Sequence, residues 1–330
     1  MNKFAPTFAL NCVFSAAMVA PETRKPLSRL ARFGQILLDA FEWLARSGVV
    51  LPIGAASAVS VVALAASEQV SLPLAAAAFL LVYASYLIDH LADVGRFEDG
   101  QASERSLSLA RRKQLFSALG VAAFAGAGAM TAIKADPVAT LLLFSFPLAV
   151  VLYGTPWFGV LTRGAFRYRR LKDIPGIKAF YTAFFWGLLM VYADRFIDGH
   201  QPSLTLFFSG YMFLSMFVNT VYCDFKDLER DRLESVATLP LMFGVSNTLR
   251  LLKLVNVTAL VWLITFAAAG WIPVWTTGLA SVHGYVSGVL HHGAKLMGTG
   301  GLPGDAAIDA EFALWLPCAL LGLGVMSSFG

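Results

Sequence analysis

The sequence predicts an all-α protein, a polytopic membrane bundle of about nine transmembrane helices. Three observations support this fold class. Hydrophobic residues make up 57% of the 330 residues and charged residues only 14%, against roughly 25% charged in soluble domains. The apolar residues form stretches long enough to cross a bilayer, and lysine and arginine concentrate on one side of the resulting layout. This pattern excludes a soluble enzyme, and the chain carries no nucleic-acid-binding motif.

Nine apolar stretches define the predicted spans. Because the backbone finds no water in hydrocarbon, each stretch should be an α-helix. The eighth stretch contains several glycines and histidines and is the least hydrophobic, so a re-entrant segment is the alternative there. The predicted spans are residues 47–66, 72–92, 115–133, 137–159, 178–196, 203–223, 250–270, 273–292 and 309–328.

The distribution of basic residues predicts the orientation of these spans. With the N-terminus inside, 23 of the 25 lysines and arginines fall on the inner side. Only Lys134 and Arg195 fall outside, which is the asymmetry that the positive-inside rule describes. The N-terminus and the loops after the even-numbered spans are therefore predicted to be cytoplasmic, at the inner membrane if the chain is bacterial.

Residues 1–46 are predicted to form a cytoplasmic segment ahead of a membrane domain at 47–330. Within it, residues 27–46 place apolar side chains at helical spacing, which predicts an amphipathic helix in the membrane interface. Residues 4–20 also have the short apolar core of a signal peptide. Cleavage there would leave a basic stretch outside, against the charge rule, but that alternative stays open.

The second predicted span ends in two aspartates. Asp89 and Asp93 lie four residues apart and share one helix face with Tyr86. Carboxylates in membrane helices are costly to bury and usually functional, so this face is a candidate site.

The sixth predicted span ends in a second acidic cluster. Asp224, Asp227 and Asp231 follow one another at spacings of three and four residues and line one stripe of a helix. Both clusters lie at the inner ends of even-numbered spans, so the topology places them at similar depth on one side of the membrane. The five aspartates and Tyr86 are therefore the candidate catalytic residues.

Carboxylates packed in this way repel one another unless a cation joins them, and oxygen ligands favour Mg²⁺. Mg²⁺ commonly bridges one or two carboxylates to a phosphate, so two facing acidic helices suit a diphosphate. The alternative is that the carboxylates only solvate helix ends, but helix C-termini disfavour negative charge. The candidate ligands of the outer phosphate oxygens are the nearby basic residues Arg96, Lys172, Lys226, Arg230 and Arg232.

The acidic segment at 223–244, CDFKDLERDRLESVATLPLMFG, resembles the second aspartate-rich motif of the UbiA-type membrane prenyltransferases. That motif places aspartates at intervals of three and four, followed by Thr-Leu-Pro and a glycine. The residues in register are Asp224, Asp227, Asp231, Thr238, Leu239, Pro240 and Gly244.

Two further segments are similar to the same family. Asp89 and Asp93 match the first aspartate motif, which is less specific than the second. Tyr153 and Pro156, and then Arg170, Leu171, Lys172 and Gly176, are similar to the segment that follows the fourth span of the family.

The chain also departs from the family pattern. Ser85 and Cys223 stand where the family has asparagine, and Tyr86 stands where an aspartate often follows. Ser235 replaces a common glycine and Ala237 a common basic residue, and the Arg-Pro pair usual after the first motif is absent. These departures predict a divergent branch whose diphosphate contacts differ in detail.

The resemblance implies transfer of a prenyl group from an isoprenyl diphosphate to a lipophilic acceptor in the membrane, aromatic or quinone-like. In this family aspartates bind Mg²⁺, Mg²⁺ binds the diphosphate, and ionisation leaves an allylic cation that the acceptor attacks. Physical chemistry agrees, because metal ions and basic side chains stabilise the negative charge of the departing diphosphate.

Aromatic residues of the fifth and sixth spans are candidates for lining a prenyl chamber, because ring faces stabilise cations. They are Phe180, Tyr181, Phe184, Phe185, Trp186, Phe213, Phe217 and Tyr222. Of the aromatic residues, the predicted chamber lining is Tyr153, Phe184, Phe217 and Tyr222.

Two rival functions remain open at this stage. The same Mg²⁺ motifs serve a membrane terpene cyclase, which ionises the diphosphate without an acceptor. Tyr86 in place of an aspartate removes one possible base for a phenolic acceptor and so favours this interpretation slightly, although Asp224 remains as a base. A cation-coupled transporter or lipid-binding protein is the second rival, since acidic clusters also occur in transporters. No inverted repeat in the sequence supports it.

Overall fold

A computed structural model describes residues 47–93, 111–134, 136–161, 168, 170–197, 200–233, 236–298 and 305–328. These residues form helices, turns and short connections, without a strand among them. The predicted interfacial helix and signal-like segment lie outside the described residues, so the division at residue 46 stays a prediction.

Thirteen α-helices and two 3₁₀ turns make up the described part of the chain. The first half contains α1 (Val50–Ser67), α2 (Leu72–Asp93), α3 (Lys113–Lys134), α4 (Pro137–Gly154), α5 (Trp157–Leu161), the 3₁₀ turn Leu171–Asp173 and α6 (Ile177–Phe196). The second half contains α7 (Pro202–Cys223), α8 (Leu228–Leu233), α9 (Leu239–Phe243), α10 (Val245–Ala268), the 3₁₀ turn Val274–Leu279, α11 (Ala280–Gly298), α12 (Asp305–Ala313) and α13 (Trp315–Ser327).

Each of the nine predicted spans corresponds to helix. Six described helices, α1 to α4, α7 and α10, are long and apolar enough to cross a membrane. The pair α12 and α13, bent by 46°, makes up to a seventh. Helices α6 and α11 occupy the fifth and eighth predicted spans without being among these six, so the all-α membrane fold is confirmed and the count of nine is compatible with it.

The structure changes two details of the predicted spans. The sequence predicts that the fourth span continues to residue 159, but α4 ends at Gly154. Pro156 has no N–H for a helical hydrogen bond and disfavours a helical conformation of the residue before it, so the helix ends ahead of it. For the eighth span the sequence leaves a re-entrant segment open, and α11 is an unbroken helix of 19 residues.

Local chemistry explains where the helices near the site begin. The Asp136 carboxylate accepts a hydrogen bond of 2.8 Å from the backbone N–H of Ala139, which caps α4. Pro137 and Pro202 occupy the first positions of α4 and α7, where a missing N–H costs nothing.

Helix α7 runs through the centre of the bundle. Phe207, Tyr211 and Met212 on this helix are fully buried, and α6 and α10 pack along it. Helix α1 packs between α2 and α12. A buried hydrogen-bond chain ties α7 to α10 and α11, because the His283 ring bonds both the Tyr211 hydroxyl at 2.7 Å and the side-chain Oδ1 of Asn256 at 2.8 Å. The start of α6 lies with the ends of α2 and α7 at one end of the bundle, because Lys178 lines a cavity together with Asp89 and contacts Asp224.

Candidate active site

A cavity of about 240 Å³ opens at this end of the bundle, between α1, α2, α4 and α6. Its polar side is formed by Ser85, Tyr86 and Asp89 of α2 and by Lys178 of α6. Its apolar walls are Leu51, Val82, Phe146, Ala149, Val150, Tyr153, Tyr181, Phe185 and Trp186, with Thr182 beside them. The cavity therefore joins one carboxylate and one ammonium group to a largely aromatic chamber.

The second aspartate cluster lies next to this cavity. Asp224, the residue after α7, is only 1% exposed, and its Oδ1 lies 2.6 Å from Nζ of Lys178. Asp231 is 7% exposed on α8, and Asp227 is half-buried between them. Lys178 thus contacts the second cluster and lines the cavity at the same time.

Tyr153 connects the two clusters. Its phenol is within electrostatic range of Asp89 from the first cluster and of Asp224 and Asp231 from the second, as well as of Lys178. The two acidic segments, more than 130 residues apart in the sequence, therefore face a common space, as the predicted topology requires.

The two buried carboxylates of the second cluster have pKa values raised by burial. Burial raises the pKa of Asp231 to about 6, with Asp224 and Asp227 adding to the rise and Lys178 opposing it. Burial also raises the pKa of Asp224 in spite of its ion pair with Lys178. Both groups lie beyond the end of α7. A further cation close to them would stabilise their ionised forms, because opposite charges attract.

Backbone hydrogen bonds fix the loops that present these groups. The N–H of Gly176 donates to the carbonyl oxygen of Ala237 at 2.7 Å, which joins the start of α6 to the loop before α9. The N–H of Val236 donates to the carbonyl oxygen of Asp231 at 2.8 Å. Gly176 has a φ of 71°, a conformation that favours glycine, so the residue is suited to starting α6 in this direction.

The donor set fits Mg²⁺ held jointly with a phosphate. Among the described side chains, no three carboxylate, imidazole or thiol groups are gathered closely enough to enclose an ion. Mg²⁺ does not need such a cage, because it keeps several waters and binds through one or two carboxylates plus substrate phosphates. Asp89 on one side and Asp224 with Asp231 on the other supply that kind of partial site.

The predicted phosphate ligands are placed unevenly. Lys172 is half-buried in the 3₁₀ turn that precedes α6, while Lys226 and Arg232 are exposed beside the second cluster. The neighbouring Arg170 is engaged with Asp173, whose carboxylate oxygen lies 2.6 Å from its guanidinium. Arg96 and the side chains of Asp93 and Arg230 lie outside the described residues.

The predicted chamber lining is partly different from the observed one. Tyr153 lines the cavity, but Phe184, Phe217 and Tyr222 do not. Phe184 points away from the bundle and is 54% exposed, Phe217 packs on Phe180 with ring centroids 5.0 Å apart, and Tyr222 is buried beside Phe225. The sequence indicates the fifth span, which is α6 and lines this cavity, but it does not indicate which face of the helix does so.

Lys178 is the site residue that sequence reasoning missed. The charge pattern marks it only as an inner-side lysine, yet it lies at the centre of the polar groups. A signal was present, because a lysine in the first turn of a helix opposes the helix dipole and needs a reason to be there.

Comparison with solved structures shows which known fold this architecture resembles. No family model and no curated protein matches the sequence. A solved structure of a UbiA homolog from Archaeoglobus fulgidus, bound to DMAPP and Mg²⁺, superposes with a TM-score of 0.57 at 14% identity, over 86% of this chain and 98% of that one. The protein has the UbiA fold. A second UbiA-fold match, from a structural study of digeranylgeranylglyceryl phosphate synthase in membranes, has a TM-score of 0.53 at 14% identity and covers 87% of this chain and 97% of that one.

The UbiA fold is the architecture that the two aspartate motifs predicted. At 14% identity the likeness concerns the path of the helices, and the chemistry has to be argued from the residues of this chain.

Proposed function

We propose that the protein is a Mg²⁺-dependent prenyltransferase that moves a prenyl group from an isoprenyl diphosphate to a lipophilic acceptor in the membrane. The observation that carries the proposal is the cavity itself, which has Asp89 and Lys178 at its polar side, aromatic walls beyond them, and the second aspartate cluster beside it. One solved UbiA homolog holds DMAPP and Mg²⁺, which supports the same ligands here.

The polar side of the cavity binds the diphosphate in this proposal. Asp89, Asp224 and Asp231 hold Mg²⁺, which when bound supplies the positive charge that stabilises the departing diphosphate. Lys178 and Lys172 bind the outer phosphate oxygens. The N-terminus of α6 adds its backbone N–H groups and its dipole, both of which favour an anion.

The aromatic walls hold the prenyl chain. Phe146, Phe185 and Trp186 bury its apolar surface and keep water from the allylic carbon as the C–O bond to diphosphate breaks. Ring faces along the cavity stabilise the positive charge that develops on that carbon. The acceptor then forms the new bond to the same carbon and releases its proton to the departed diphosphate, because Asp224 is engaged as a ligand of Mg²⁺ in this proposal.

A terpene cyclase is the second candidate, and one observation favours it. Tyr86 lines the cavity where a carboxylate is common in the family, so Asp89 is the sole carboxylate among the described residues that line it. A cavity with few bases protects a cation from deprotonation until its own double bonds have reacted. In that case no acceptor is consumed and the product is a hydrocarbon.

Purified protein with Mg²⁺ and C5, C10, C15 or C20 isoprenyl diphosphates tests both candidates, first without an acceptor and then with quinone-like and aromatic acceptors. Prenylated acceptor identifies a transferase, and extractable cyclic hydrocarbon without acceptor identifies a cyclase. Asp89→Asn should lower the yield of either product by a factor on the order of 100. Glu229→Gln removes a charge from an exposed position of the same acidic segment as Asp227 and should leave turnover unchanged. Absence of Mg²⁺-dependent diphosphate binding would count against both candidates.

A further inference from the structure

Lys178 occupies a position that helix energetics disfavour. It is the second residue of α6, where the positive end of the helix dipole repels an ammonium group. Its side chain is nevertheless only 29% exposed and contacts Asp224, which is 1% exposed. The carboxylates, and not the helix, therefore account for a lysine at this position.

The ammonium group of Lys178 is the centre of the second cluster. It interacts with Asp231 and Asp227 as well as with Asp224. It also lines the cavity together with Tyr86 and Asp89. In the protein without ligand, the ammonium group of Lys178 neutralises buried carboxylates. A bound metal ion would neutralise the same carboxylates.

We propose that Lys178 is an internal counter-ion that couples metal loading to diphosphate binding. In the unliganded protein it holds Asp224. When Mg²⁺ and a diphosphate enter together, Lys178 leaves Asp224 to the metal and binds the diphosphate. This inference rests on the proposed function only for the identity of the anion.

The coupling follows from the cost of an unpaired buried charge. If Mg²⁺ alone bound Asp224, Lys178 would lose its ion pair with Asp224 while remaining half-buried. Breaking a buried ion pair in this way is strongly unfavourable. With a diphosphate present, Lys178 exchanges one anion for another. Mg²⁺ and diphosphate therefore strengthen each other's binding by an equal factor, as linkage requires.

Thermal unfolding of the detergent-purified protein tests this proposal without any measurement of turnover. After treatment with EDTA, Mg²⁺ is titrated alone and in the presence of inorganic diphosphate. For the wild type, we expect diphosphate to lower the Mg²⁺ midpoint at least tenfold. Lys178→Met should melt at a lower temperature in EDTA and respond to Mg²⁺ alone at a concentration at least tenfold below that of the wild type. Lys178→Arg keeps the charge and should resemble the wild type.

Two controls keep the result specific. Lys253→Met makes the same chemical change at an exposed position of α10 and should alter neither melting nor the Mg²⁺ midpoint. The double variant Lys178→Met/Asp224→Asn removes both partners and should recover stability in EDTA. If Lys178→Met alone fails to fold, recovery in the double variant supports the pairing, and an equally unstable double variant overturns the proposal.

An unchanged Mg²⁺ midpoint in Lys178→Met overturns the proposal, including the case in which neither protein responds to Mg²⁺. A lowered midpoint supports the proposal even if no prenyl diphosphate is turned over, in which case the counter-ion stands and the proposed enzyme function fails; a raised midpoint overturns it. Prenyl turnover with an unchanged midpoint would leave the enzyme function standing and remove the counter-ion.

Discussion

The two aspartate clusters of this protein face the same space but are built differently. Asp89, at the end of α2, is exposed at the polar side of the cavity. Asp224 and Asp231 are buried, contact or face Lys178, and lie in a segment that backbone hydrogen bonds join to the start of α6. The second cluster is therefore preorganised around an internal cation, whereas Asp89 of the first cluster is exposed at the cavity.

This difference teaches that similar sequence motifs can have different energetic roles. An exposed carboxylate can be removed at little cost to folding, and its loss is felt mainly by the ligand. A buried carboxylate paired with a lysine contributes to folding as well, because its removal strands a buried charge. Substitutions in the first cluster should therefore lower mainly turnover, whereas substitutions in the second cluster should lower both stability and turnover.

The largest expected effect is that of Asp224→Ala. Loss of the carboxylate breaks the ion pair with Lys178 and leaves this lysine half-buried with Asp227 and Asp231 as its remaining acidic neighbours, so we expect unfolding to become easier by about 3–5 kcal/mol. Turnover should be lost as well. Thermal melting in detergent measures the first effect, with Glu229→Ala as an exposed acidic control from the same segment. A melting temperature equal to that of the wild type would show that the pair does not stabilise the fold.

Asp89→Asn should lower turnover with little effect on stability, unlike Asp224→Ala. We expect turnover to fall by a factor on the order of 100, the cost of removing a group that stabilises charge in the transition state. The free energy of unfolding should change by no more than about 0.5 kcal/mol, as for other exposed substitutions. Parallel melting and diphosphate-release assays measure the two quantities. A variant that loses stability and turnover together would erase the distinction between the clusters.

The pH dependence of stability tests whether the second cluster contains a buried carboxylate, Asp231, whose ionisation destabilises the fold. Its pKa rises from 3.8 to about 6 on folding, so the unfolded chain releases this proton at lower pH than the folded protein. In EDTA, stability should therefore fall as the pH rises through this window and stay reduced above it, by roughly 3 kcal/mol. Asp231→Asn should remove that loss at pH 7 and match the wild type below pH 4. Equal melting curves for the two proteins at pH 7 would contradict this expectation.

The smallest expected effect concerns the apolar wall of the cavity. Trp186 lines the cavity and stacks on Phe312, with ring centroids 5.4 Å apart. Trp186→Ala enlarges the chamber and should shift the ratio of turnover on C20 to C10 diphosphate about tenfold towards the longer chain. Phe184→Ala, two residues earlier on an exposed face of the same helix, should leave the ratio unchanged. Equal ratios in both variants would place the chain elsewhere.

Much of the fold was predictable because membrane helices obey simple rules. Length, apolarity and the asymmetry of lysine and arginine locate spans without knowledge of their contacts. The two aspartate segments were predictable for a similar reason, since carboxylates at the ends of apolar spans are rare and topology alone places even-numbered spans with their ends together.

The side chains around the site were not predictable to the same degree. Phe184 and Phe185 are adjacent and chemically identical, yet the first faces outward and the second lines the cavity. Helix α6 is apolar around its whole circumference, so no hydrophobic periodicity distinguishes its faces. Only packing against α4 and α7 assigns them.

The sequence alone determined the membrane class, the positions of the spans and the two acidic segments, because these depend on local composition and on the order of elements along the chain. Only the tertiary structure decided that Lys178 pairs with Asp224 and lines a cavity together with Asp89. Those contacts join residues that are far apart in sequence, and their energies depend on burial and distance, which are properties of the folded bundle.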